Sequence, residues 1–148
     1  MSAAATRLPS QAYAEGAAAG RWRDDPAQHA ALRELDRIHR QLLEATPTGF
    51  LARLGLGRRP APVKGLYLWG GVGRGKTFLV DLFYDGLPLP QKQRTHFHRF
   101  MRSIHEQLRL HAGQADPLAT IAREWREHLR VLVLDEFFVT DIGDAMLL

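Results

Sequence analysis

Cysteine is absent from this 148-residue chain. That excludes disulfides, thiolate metal sites and a cysteine nucleophile together, and removes any sign of an oxidising, secreted setting. No stretch approaches the roughly 18 consecutive apolar residues of a membrane span. Met1 to Arg7 lacks a leucine-type hydrophobic region behind a basic cluster, so no secretory signal is read there. The Ala, Ser and Arg of those residues leave a transit peptide open, with cytoplasmic as the default. Charge of one sign is scarce too: 20 Lys+Arg stand against 16 Asp+Glu, a net +4. The excess is spread as 9 against 6 through Val63 and 11 against 10 beyond it. It predicts solubility rather than a nucleic-acid track. What is present is an ordinary globular composition, 45% hydrophobic and 24% charged, of single-domain length.

Met1 to Gly20 is Ala/Gly-rich and weakly patterned, and its start is expected to be mobile. Asp25-Pro26 reads as a helix cap followed by proline at the first helical position. Leu32, Leu35, Ile38 and Leu42 then recur at helical spacing, which predicts an amphipathic helix to about Glu44 with its stripe on a core. Thr46 to Val63, dense in Gly and Pro, marks a connection. Gly65 to Trp69 suits a buried strand, Gly70 to Gly75 a glycine-rich turn, and Thr77 to Tyr84 a helix ended by Gly86 and Pro88. Thr95 to Phe100 suits a second strand, running into a helix that carries Met101, Ile104 and Leu108 and stops near Gly113. Asp116-Pro117 opens another helix through Ile121 and Trp125, and Val131 to Leu134 is a third buried strand. Alternating strands and helices imply an α/β fold with a parallel sheet. Residues 1–63 form a helical extension and linker, and 64–148 the phosphate-loop portion.

Gly70-Gly71-Val72-Gly73-Arg74-Gly75-Lys76-Thr77 fits G-x-x-x-x-G-K-S/T in full. The glycines permit positive φ and let the backbone wrap a phosphate with no Cβ in the way. Successive N–H groups then make an anion nest at a helix start, where the dipole also favours negative charge. Lys76 would reach the β- and γ-phosphates, and the Thr77 hydroxyl would ligate Mg²⁺. The strand-turn-helix setting is what that mechanism requires. Arg74 could touch phosphate or a neighbouring subunit, and the sequence does not decide between them.

Val131 to Leu134 leads straight into Asp135-Glu136. A carboxylate at the end of a buried strand is placed to hold Mg²⁺ opposite Thr77. Glu136, expected on the alternate side of the chain, could polarise a water for in-line attack on the γ-phosphorus as general base. A hydrolytic water needs such a base, which favours an ATPase over a small-molecule kinase. His96 and His98, read as alternating on one strand face, offer two metal ligands without a third, so structural or nucleotide-sensing roles are read before a metal site. Phe97 and Phe100 read as core, and Arg58-Arg59 as a solvated pair.

With these motifs placed, the chain resembles the ZapE family, the AFG-one-like ATPases of bacteria and mitochondria. The resemblance runs through GLYLWGGVGRGKT (Gly65 to Thr77), DLFY (Asp81 to Tyr84), HFHRFM (His96 to Met101), DPL (Asp116 to Leu118) and LDEFFVTDIGDAMLL (Leu134 to Leu148). The spacing of Tyr13, Gly20, Asp25 and Gln28 also fits. The resemblance implies a P-loop NTPase with an AAA+-like parallel sheet and Mg²⁺-dependent ATP hydrolysis. By position it assigns ATP to Gly70 through Thr77, Mg²⁺ to Thr77 and Asp135, and catalysis to Lys76 and Glu136. For the bacterial branch it implies cell division and association with FtsZ and the division ring at the inner-membrane face without spanning it; a homo-oligomer of the full-length protein stays open.

Family members continue well past Leu148. The implied strand order is 5-1-4-3-2, so about three of five core strands are expected, with a slot of one strand spacing, ~4.8 Å, between the first and third. The arginine finger and later sensor are expected beyond Leu148, and this chain alone is expected to turn over little ATP. Two other classes stay open. A nucleic-acid-dependent initiator or helicase-loader ATPase would share the loop and acidic pair but needs a clustered basic surface. A non-enzymatic truncated partner of the full-length ATPase is the other.

Overall fold

Proline and aspartate set helix starts in both halves of the chain. In the computed structural model, which describes residues 7–44, 62–69, 75–137, 139 and 142–147, Asp25 accepts a bond from the Ala27 N–H at 3.0 Å and opens the 3₁₀ turn Pro26–Gln28. Asp116 does the same for the Ala119 N–H at 3.1 Å. Each satisfies a first-turn amide that has no partner within its helix. The expected connection from Thr46 lies outside the described residues as far as Ala61. The chain divides into two compact units, Met1–Pro88 and Leu89–Leu148.

The first unit holds α1 (Pro9–Ala18), the 3₁₀ turn, α2 (His29–Glu44) and α3 (Lys76–Gly86). Leu32, Leu35, Ile38 and Leu42 of α2 are buried, as their spacing predicts, against a core that includes Tyr13, Leu79 and Phe83. The helix α1 lies within the stretch Met1 to Gly20 that reads as weakly patterned. Proline at its first position and an alanine-rich body favour the helix locally. Its attachment is long-range: the buried Asp36 of α2 accepts from the Ser10 N–H at 3.0 Å and from the Ser10 hydroxyl. An anion from another helix therefore caps the positive end of α1. Gly16 sits where the Trp22 indole crosses the helix, and any Cβ there would run into that ring.

Gly65 to Trp69 does not form the expected strand. Its residues carry no regular structure, and Leu66, Tyr67 and Trp69 are 38%, 64% and 81% exposed. An apolar run becomes a strand only where a neighbour takes its N–H and C=O groups. Here the segment is instead tied to α2, whose Arg37 guanidinium donates twice to the Lys64 carbonyl at 3.2 Å.

The second unit runs β1 (Lys92–His96), α4 (Phe97–Leu110), α5 (Pro117–His128), β2 (Val131–Asp135) and α6 (Ile142–Leu147). The two strands pair in parallel, from Lys92 beside Val131 to His96 beside Asp135, and α4 packs on both. Among the described residues the sheet thus has two strands rather than the expected three. This also leaves β2 half-buried along its length where full burial was expected. The strand expected at Thr95 to Phe100 starts earlier and stops at His96. From Phe97 the buried residues Phe97, Met101 and Ile104 follow a helical period, and that stripe outweighs the local alternation. Across the sheet, Arg94 grips Asp135 with two bonds, Nε to Oδ2 at 2.6 Å and a terminal nitrogen to Oδ1 at 3.1 Å.

Two stability outcomes follow from these contacts. His39 is wholly buried, with neither ring nitrogen hydrogen-bonded among the described residues. Burial pushes its pKa below the ordinary histidine value, opposed by the Asp36 carboxylate and aided by Arg40. The unfolded chain therefore takes the proton first, and stability present above about pH 6.5 is lost as the pH falls. Melting curves should show a lower midpoint at about pH 5.5 than at about pH 7.5, and His39→Leu should flatten that slope. An unchanged slope in the variant would contradict it. Separately, Arg94→Ala should cost about 1–3 kcal/mol in urea unfolding, because it strips a half-buried carboxylate of a two-bond donor.

Candidate nucleotide site

The phosphate-loop signature meets the structure at its last three residues. Gly70, Gly71, Val72, Gly73 and Arg74 lie outside the described residues. Gly75 has φ +73°, the left-handed conformation expected of a glycine that turns a loop into a helix. Its carbonyl accepts from the Leu79 N–H at 3.1 Å, which starts α3. Lys76 is therefore the first helical residue and Thr77 the second, with Thr77 exposed. The first-turn amides and the helix dipole favour an anion at this end.

The next residue, Phe78, anchors this helix start. Its ring meets Trp22 edge-on with centroids 4.7 Å apart and lies 6.2 Å from Tyr13. Trp22 is held in turn, its indole N–H donating to the Tyr13 carbonyl at 2.9 Å. The Tyr13 hydroxyl accepts from the Asp25 N–H at 2.8 Å and donates to the Gln28 side-chain oxygen at 2.9 Å. Gln28 Nε2 then fills the space into which a Cβ on Gly75 would project. These upstream contacts on the loop's last glycine had no role in the sequence reading. The spacing of Tyr13 and Gln28 was visible, but a spacing carries no direction in space.

Asp135 and Glu136 belong to the second unit, at the end of β2 and just beyond it. Both Asp135 carboxylate oxygens already accept from Arg94, a partner that only the strand register reveals. Each oxygen keeps lone-pair capacity for a further bond. Glu136 leaves the strand with φ +53°, so its direction is set by a left-handed turn and not by strand alternation. Its side chain is exposed, with Oε2 3.8 Å from His96 Nδ1. That nitrogen is buried and has no hydrogen-bond partner among the described residues. His96 and His98 do not alternate on one strand: His96 ends β1 and His98 lies in α4. Their rings nonetheless stack, 5.8 Å apart and 13° from parallel.

Comparison with known proteins gives this geometry a setting. Cell division protein ZapE of Escherichia coli K12 is 47% identical over 95% of this chain and 40% of its own length. An uncharacterised protein of Schizosaccharomyces pombe is 31% identical over 95% of this chain and 38% of its own. Lactation elevated protein 1 homolog B of Danio rerio is 38% identical over 61% of this chain and 20% of its own. The chain thus spans two fifths or less of the length of these curated relatives. No solved structure matches. The family model described as AFG1-like ATPase matches residues 7–148, and the chain belongs to that family.

Proposed function

We propose that this chain carries the ATP-binding portion of an Mg²⁺-dependent ATPase, with Gly70 through Thr77 as the phosphate loop. The observation that carries the reading is a complete signature whose last glycine adopts φ +73° and hands Lys76 and Thr77 to the first turn of α3, in an AFG1-like ATPase. The donor chemistry fits a hard cation: the exposed Thr77 hydroxyl and the Asp135 carboxylate are both oxygen ligands of the kind Mg²⁺ takes. Asp135, with Arg94 on both oxygens, would hold the cation directly or through water with its remaining lone pairs. Mg²⁺, when bound, supplies neutralisation of charge on the β- and γ-phosphates.

The chain's own residues do the rest. Loop amides and Lys76 would hold the phosphates, and Thr77 and Asp135 are each of a type that would hold the cation. Glu136 would accept the proton of a water whose oxygen attacks the γ-phosphorus, while the bond from that phosphorus to the β,γ-bridging oxygen breaks and ADP leaves with those electrons. His96 Nδ1, 3.8 Å from the Glu136 carboxylate, stands beside the group that receives that proton. The 47% identity to a cell division protein supports a cell-division role; FtsZ as partner and a cytoplasmic, peripheral position extend that reading by resemblance. No helix among the described residues is long and apolar enough to cross a membrane.

Lys76→Ala should abolish ATP binding measured by calorimetry, and unchanged affinity would sink the phosphate-loop assignment. Glu136→Gln should keep ATP but stop phosphate release, whereas turnover equal to the parent removes Glu136 as the base. Co-sedimentation with FtsZ polymers tests the partner. Recovery in the pellet supports it, and a chain left wholly in the supernatant counts against it.

A further inference from the structure

We infer that Gln28 is a positioning residue for bound nucleotide: its carboxamide, aimed by Tyr13, braces Gly75 in the turn through which the phosphate loop enters α3. The inference rests on the nucleotide-binding reading above and extends it to a residue that the loop signature does not contain. Three observations combine. First, the Tyr13 hydroxyl accepts from the Asp25 N–H at 2.8 Å, so its own proton must go to an acceptor. Of the two acceptors in reach, Gln28 Oε1 at 2.9 Å is closer than the Arg23 carbonyl at 3.4 Å, and the proton directed to that oxygen assigns the two ends of the amide. Second, with its oxygen engaged, the amide presents Nε2 to Gly75, occupying the volume a Cβ would need. Third, the same short segment reaches α3 again through Trp22, edge-on to Phe78 at 4.7 Å.

The brace matters because Gly75 is the hinge of the site. A left-handed glycine is held by its surroundings, since glycine samples either sign of φ readily. The amides that follow it, in Lys76 and Thr77, point at a phosphate only while that turn is kept. Gln28 is anchored at both ends of its reach: its N–H donates to the Asp25 carbonyl at 2.9 Å inside the 3₁₀ turn, and its side chain is pinned to α1 by Tyr13. The helical pair ahead of the loop thereby fixes where the loop ends.

The test is equilibrium binding of a fluorescent ADP with Mg²⁺ to the full chain, with melting curves alongside. Gln28→Met keeps the side chain's length and removes the amide. It should weaken binding roughly fivefold to tenfold, the size of effect of a residue that acts through another, with a melting temperature lowered no further than Tyr13→Phe lowers it. Tyr13→Phe removes only the hydroxyl and should weaken binding in the same direction. The double variant should bind no worse than Gln28→Met alone, because both act through one linkage. Gly75→Ala should lose affinity on its own and regain part of it when combined with Gln28→Ala, where the colliding amide is gone. Affinity equal to the parent in Gln28→Met overturns the inference. So does a loss that disappears on cooling to where the variant is fully folded, because Gln28 then serves folding alone. A parent chain that binds no nucleotide overturns the inference and the nucleotide reading together, and so is told apart from the first two results.

Discussion

The hydroxyl of Tyr13 is the junction on which the first unit's organisation turns. It is one of few groups able to accept and donate at once, and both capacities are used, from the Asp25 N–H and to Gln28. Around it the Tyr13 carbonyl holds Trp22, and the ring touches Phe78. A single buried side chain on α1 thereby fixes a loop, a 3₁₀ turn and the first turn of α3. Ser10 and Asp36 complete the attachment of α1 to α2. The helix that reads as least structured in composition is the one that holds the others in register.

The second unit solves a different problem. A pair of parallel strands must be closed by a long connection, and here α4 and α5 fill it between β1 and β2. Pairing places His96 beside Asp135, so the ends of both strands deliver ionisable groups to one edge. Arg94 binds Asp135 along that edge, and His96 lies near Glu136. Charge is concentrated where the strands stop, and the apolar residues of β2 run up to it. In open α/β sheets generally, the carboxyl ends of the strands are where ligands bind.

What the sequence made legible was local. The Asp-Pro starts, the α2 stripe and the Gly-Lys-Thr entry into α3 each depend on residues within a turn or two of one another. What stayed hidden depends on partners far along the chain. The helix α1 owes its place to Asp36, 26 residues from Ser10, and composition carries no trace of that bond. The run Gly65 to Trp69 displays its apolarity, but pairing belongs to the neighbour and not to the run. Alternation at His96 to His98 suggests a strand until Phe97, Met101 and Ile104 are counted together as one buried stripe. Arg94 looks like any basic residue in a strand until register sets it 41 residues away against Asp135.

Glu136 carries a consequence of its own. At φ +53° a side chain with a Cβ bears a steric penalty of about 1 kcal/mol or more that glycine would not. The fold by itself would therefore be better served by glycine, which has no Cβ and hence no carboxylate. Stability and charge pull in opposite directions at this position, and the residue present is the one that keeps the charge.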